Sequence, residues 1–221
     1  MRLCRLRRSG LAMALLVSIS SFAAPSVAEE IANAGFRQAI AEAAASDTGI
    51  AAFYRARDFA PFWTAAESAS RRTALLRALA QAPKHGLPAS RYDPDDLIAL
   101  FRDARTQRDA GRAEVAAARM FVSYARDLQS GILVPGEVVP GIKRQVTRPS
   151  ATQLLTAFET APSAAGFFRT LAPETPEYAR LLREKLRLET VIASGGWGPE
   201  VRSGKLSPGR PGPGFLPCAT G

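Results

Sequence analysis

Two cysteines, one histidine and a few carboxylates are the residues of this chain that could carry chemistry, and each is judged by its surroundings. A cysteine nucleophile works as the thiolate, which needs a nearby base or an electropositive pocket. Cys218 lies between Pro217 and Ala219 with no histidine near it in sequence, and reads as an incidental free thiol. Cys4 precedes an apolar run instead of following it, so it is not placed as a lipoprotein cysteine. His85 is the only histidine, and one histidine cannot build a zinc site without further ligands. The run Lys84-His85-Gly86 reads as a helix end, where cations meet the negative end of the dipole. Asp95, Asp96 and Glu177 are the carboxylates a glycosidase would recruit, and that chemistry needs two of them facing at about 5–9.5 Å. All three stand in expected first helical turns, where capping and the helix dipole explain them. Gly195-Gly196 and Gly212-Pro213-Gly214 lack the strand–turn–helix context of a phosphate-binding loop. The sequence therefore nominates no catalytic, cofactor-binding or metal-ligating residue, and no cofactor.

The elements that would position these groups are helical throughout. Leu75, Leu76 and Leu79 recur at helical spacing, as do Leu97, Ile98 and Phe101. Ala118, Phe121, Val122, Ala125 and Leu128 make a third stripe, and Tyr178, Leu181, Leu182, Leu188 and Ile192 a fourth. No stretch alternates long enough to argue a strand. Asp93-Pro94-Asp95-Asp96, Ser150-Ala151-Thr152-Gln153 and Thr175-Pro176-Glu177 carry N-terminal capping chemistry. The pattern predicts an all-α domain over residues 30–194, with helices near 30–45, 49–57, 69–84, 94–108, 111–130, 150–160, 163–171 and 176–194. Residues 131–149, with Pro135, Gly136, Pro140 and Gly141 among them, read as a long extended connection. Phe53, Tyr54, Phe59, Phe62 and Trp63 could form a platform for sugar or peptide, but their clustering around a short helix predicts core. Arg55 and Arg57 are expected to pair with acids of neighbouring helices.

Both ends read differently from the middle. Arg2, Arg5, Arg7 and Arg8 precede an apolar run from Leu11 to Phe22, and small residues follow up to Ala28. These are the three parts of a secretory signal peptide, so residues 1–28 are expected to be cleaved and the mature chain to be periplasmic. The apolar run is shorter than the roughly 20 residues of a membrane-spanning helix, so no span is expected after cleavage. From Gly195 to Gly221 the chain is dominated by Gly and Pro, and reads as a disordered tail or linker. The formal net charge of +9 is concentrated at these ends, and residues 29–199 carry a balance of only about +3. Arginines there alternate with acids, as in Arg102-Asp103-Ala104-Arg105, which excludes a dedicated nucleic-acid surface.

Several stretches resemble one family. Phe53-Tyr54-Arg55-Ala56-Arg57-Asp58-Phe59-Ala60-Pro61-Phe62-Trp63 is similar to the opening of the helical scaffold domain in large murein L,D-transpeptidases. His85-Gly86-Leu87-Pro88 with Tyr92, Tyr124 to Gly131, and Leu171 to Leu181 resemble later motifs of that domain, in the same order. Gly195-Gly196-Trp197 resembles the step into the rest of such an enzyme. The resemblance covers about residues 50–206. It implies a non-catalytic scaffold which, in an intact enzyme, precedes a peptidoglycan-binding module and a catalytic domain. That catalytic domain uses a cysteine to attack a tetrapeptide stem and form a 3→3 crosslink. The implied partners are peptidoglycan or a transpeptidase catalytic domain. The match stops at the run from Arg210 to Cys218, which is what a reading-frame shift would produce, and the chain is expected to be inactive alone. The alternative is an autonomous helical binding protein for peptidoglycan or a wall-synthesis partner.

Overall fold

Thr106 and Asp109 start the helix that organises the molecule. The Asp109 backbone N–H donates to Thr106 Oγ1 at 3.1 Å, and the Thr106 N–H donates to Asp109 Oδ2 at 3.1 Å. This reciprocal capping box satisfies two amides that helix geometry leaves unpaired. The helix it opens, α5 (Gln107–Ser130), is 24 residues long and spans about 36 Å at 1.5 Å per residue. It ends at Gly131, whose positive φ of 79° lets the chain leave while its N–H donates to Asp127 O.

The computed structural model describes residues 27–143 and 146–198, with side chains from residue 33 onward. Around α5 lie α1 (Val27–Ala44), α2 (Thr48–Ala56), α3 (Ala69–Ala80) and α4 (Pro94–Asp103). After α5 come α6 (Pro135–Val138), α7 (Ala151–Glu159), α8 (Ala164–Thr170) and α9 (Pro176–Ala193). No strand occurs among the described residues, and the fold is all-α. Helices α1, α2, α4 and α7 pack on α5, α2 packs on α7, and α3 packs on α8.

Small residues decide how close the helices come. A Cβ on Gly111 of α5 would stand 2.7 Å from Phe36 O and 2.8 Å from Ala39 Cβ, both on α1. Ala113, Ala117 and Ala118 continue the narrow buried surface of α5. Further along, Phe121 stacks on Phe158 of α7 at 4.8 Å, and Phe158 stacks on Trp63 at 5.6 Å. Phe53 and Phe62 close this aromatic core edge-on at 5.2 Å. Phe53, Tyr54, Phe62 and Trp63 are thus interior, as expected, and Phe59 packs against the core half-buried.

Several boundaries depart from the pattern. The helix expected over 94–108 stops at Asp103, because the Thr106–Asp109 box restarts the chain at Gln107. The helix expected over 69–84 stops at Ala80, and residues 82–85 tighten into a 3-10 turn at Pro83. The connection 131–149 contains the short α6. Helix α9 departs furthest, having the expected apolar stripe but no buried residue. Leu181 is 68% and Ile192 61% exposed. Of the expected signal segment only Val27 and Ala28 fall among the described residues, at the start of α1. Of the expected tail only residues 195–198 do, in a turn. Among the described residues no helix is long and apolar enough to cross a membrane.

Candidate functional site

Two buried carboxylates sit on α5, Glu114 in its first half and Asp127 near its end. Glu114 is fully buried and accepts five hydrogen bonds. Its Oε1 accepts from the Tyr54 hydroxyl at 2.9 Å and from the Phe62 and Trp63 amides at 2.5 and 2.8 Å. Its Oε2 accepts from the Thr64 amide at 2.8 Å and the Thr64 hydroxyl at 2.7 Å. Burial is the first cause that raises the Tyr54 pKa well above the usual phenol value, and the Glu114 charge is the second. Arg71 donates to Phe62 O at 2.8 Å and lies 4.1 Å from the centre of the Phe62 ring. Arg72 donates to Trp63 O and Ala65 O. An irregular segment over the core is therefore held by its own amides converging on one carboxylate, which is a structural use of the acid.

Asp127, near the other end, is only 3% exposed. The Tyr92 hydroxyl donates to its Oδ2 at 2.5 Å, Arg91 reaches the same oxygen at 3.2 Å, and Arg148 approaches Oδ1 at 4.0 Å. Burial, then the hydrogen bond to Asp127, pushes Tyr92 up to about 12. Arg148 also donates to Gly131 O at 2.9 Å, and Arg126 donates to Pro149 O at 2.9 Å, so the connection after α5 is stitched back onto it.

Over Asp127 opens a groove of about 990 Å³. Its walls are the turn 85–88, the end of α5 with residues 131–135, residues 146–147, and Pro173 with Tyr178. The stretches around His85, Tyr124 and Tyr178 meet here, while the stretch from Phe53 to Trp63 builds the core around Glu114. His85 Nδ1 and the Tyr178 hydroxyl lie 2.6 Å apart, with their rings nearly parallel. Burial first and Lys84 second lower the His85 pKa below its ordinary 6.5, so the ring is neutral at neutral pH. This corrects the reading of His85 as a cationic helix end. The residue ends a 3-10 turn, but its ring serves as a neutral hydrogen-bonding partner of α9.

The remaining nominated groups do not converge. Asp93 caps α4 by accepting from the Asp95 amide at 2.9 Å, and Glu177 accepts from Arg180 at 2.6 Å within α9. Asp96 lines a cleft with Asp103 and Asp109 between α4 and α5, away from Glu177 on α9. Arg57 pairs with Glu159 of α7, as expected, and lies over the Phe53 and Phe62 rings. Cys4 and Cys218 lie outside the described residues. Among the described residues no group of three or more His, Cys, Asp or Glu is arranged to hold a metal ion. Sequence reasoning missed Glu114 and the hydroxyl pairing of His85, because both partners lie far away along the chain.

No curated protein and no solved structure matches the chain. The model of one family, described as the Scaffold domain, matches residues 48–186. That match opens at the first residue of α2, takes in both carboxylate clusters and the groove, and ends inside α9. With more than half of its length so matched, the chain belongs to the Scaffold domain family.

Proposed function

We propose that this chain is the helical scaffold part of an L,D-transpeptidase system, exported to the periplasm, that positions a catalytic domain at peptidoglycan and has no catalytic centre itself. One observation carries the reading. Helix α9 runs 18 residues without a buried side chain and leaves Leu181, Leu186 and Ile192 exposed. Exposed apolar area of this kind beside a groove marks an interaction surface. The family match and the order of the transpeptidase-like motifs support the choice of partner. The buried acids support a positioning role, since Glu114 and Asp127 are engaged by hydrogen bonds that hold the backbone.

The test is binding of the full chain to a separately expressed L,D-transpeptidase catalytic domain by calorimetry. The expected result is a saturable complex that Leu181→Glu with Leu186→Glu abolishes. In a crosslinking assay with tetrapeptide muropeptides the chain alone should show no turnover. Turnover that Cys218→Ala removes would overturn the reading. The volume and proline-rich walls of the groove favour a second reading, an autonomous peptidoglycan-binding protein. Co-sedimentation with purified sacculi in the absence of any catalytic domain would select it.

A further inference from the structure

The connection after α5 is anchored at its base and exposed at its tip. Arg148 donates to Gly131 O and Arg126 to Pro149 O, both at 2.9 Å, which fixes its two arms to the end of α5. A Cβ on Gly136 would stand 3.4 Å from Ile142 O, so the tip folds back on itself. Within that tip Leu133, Val134, Val138, Val139 and Ile142 are each between 44% and 66% exposed. Large apolar side chains gathered in water over so short a stretch mark an interaction surface.

The backbone narrows what covers them. Pro135 and Pro140 carry no N–H. The Glu137 and Val138 amides donate to Val134 O at 3.0 and 3.3 Å, Val139 donates to Pro135 O at 3.0 Å, and Ile142 donates to Val139 O at 2.9 Å. Most positions of the tip thus offer no free N–H, as surroundings without water require. A partner strand, by contrast, would need open amides to pair with. Charge points the same way. The one acid between residues 131 and 149 is Glu137. Lys143 follows the tip and is exposed. With Arg148 it lines a cleft of about 590 Å³ between the arms, and no carboxylate lines that cleft. The tip is also small, well short of the roughly 20–30 residues that a stable protein interface takes from each side.

We infer that this loop seats the protein on an anionic lipid surface. Leu133, Val138 and Val139 enter the boundary between headgroups and acyl chains, ~5–10 Å deep for an interfacial element. Lys143 and Arg148 stay at the level of the lipid phosphates and meet them. Glu137 shares the tip and keeps the insertion shallow and reversible. A seat of this kind needs no membrane-spanning helix. The contact does not rest on the scaffold reading, which uses α9.

The experiment places the full chain on vesicles of phosphatidylcholine, with and without about 30% phosphatidylglycerol, and follows flotation and deuterium exchange of residues 132–143. Exchange in the loop is a local readout, so the apolar run from Leu11 to Phe22 does not mask it. Anionic vesicles should slow that exchange. Val138→Asp with Val139→Asp should remove the protection and lower partitioning about tenfold, and both side chains are exposed enough to leave the fold intact. Lys143→Gln should weaken binding to the anionic vesicles about fivefold and leave binding to phosphatidylcholine unchanged. Leu181→Glu with Leu186→Glu should leave the protection in place, which separates this contact from docking through α9. Loop exchange unaffected by anionic vesicles would overturn the proposal. Protection that rises with protein concentration in the absence of lipid would also overturn it, by assigning the tip to a second copy. Loss of calorimetric binding to the catalytic domain in the Val138→Asp, Val139→Asp variant would do the same, by assigning it to a protein partner.

Discussion

The Glu114 carboxylate serves five donors, three of them backbone amides of consecutive residues. Glu114→Gln turns one oxygen into an amide nitrogen facing those N–H groups. The expected cost is about 3 kcal/mol, read as a lower urea midpoint, against about 1 kcal/mol for Tyr54→Phe, which removes a single donor. Nothing in the neighbourhood of Glu114 in sequence announces this, since its partners lie about fifty positions earlier. The same holds for His85 and Tyr178, 93 residues apart. His85 also fixes a pH dependence. Its folded pKa is lowered, first by burial, so the unfolded chain takes up a proton near 6.5 while the folded protein resists. That contribution is present above about pH 6.5 and is lost as pH falls through the lowered folded value. Urea midpoints at about pH 7.5 and pH 5.5 should therefore differ more in the wild type than in His85→Gln.

Helix starts were legible because their chemistry is local. Asp93, Ser150 and Thr175 each accept from an amide two or three residues on, as the residue types predict. The Leu75–Leu79 and Phe121–Leu128 stripes face the core for the same reason. The break between α4 and α5 was expected at residues 109–110 and falls at 104–106, where Thr106 and Asp109 form a capping box. On α9 the stripe was read correctly and its burial was not, since apolar spacing names a face and not what covers it. The α1–α5 contact gives a sharp test at this scale. Gly111→Ala gains helix propensity of about 1 kcal/mol, but its Cβ would meet backbone oxygen Phe36 O at 2.7 Å. Overpacking against unyielding backbone should dominate, with a net loss of about 1–2 kcal/mol visible as a lower Tm. An unchanged or higher Tm would mean that α1 can move away.

Across the molecule, stability should be uneven. Among the described residues α9 is joined to the body by a single side-chain hydrogen bond, His85 to Tyr178. Its amides beyond the first turn should exchange with deuterium well before those of α5, measured by mass spectrometry. Leu181→Glu and Leu186→Glu should each shift stability by less than about 0.5 kcal/mol, because both side chains stay mostly in water on folding. A large loss would show that α9 is part of the cooperative unit. The Glu114 cluster bears on the order in which the chain can become itself. Residues 62–64 precede their carboxylate by some fifty positions. A chain made from its N-terminus thus displays three adjacent amides, two arginines and a set of aromatic rings before the acid that gathers them has been synthesised. The main packing partners of the first three helices, α5, α7 and α8, likewise all come later in the chain.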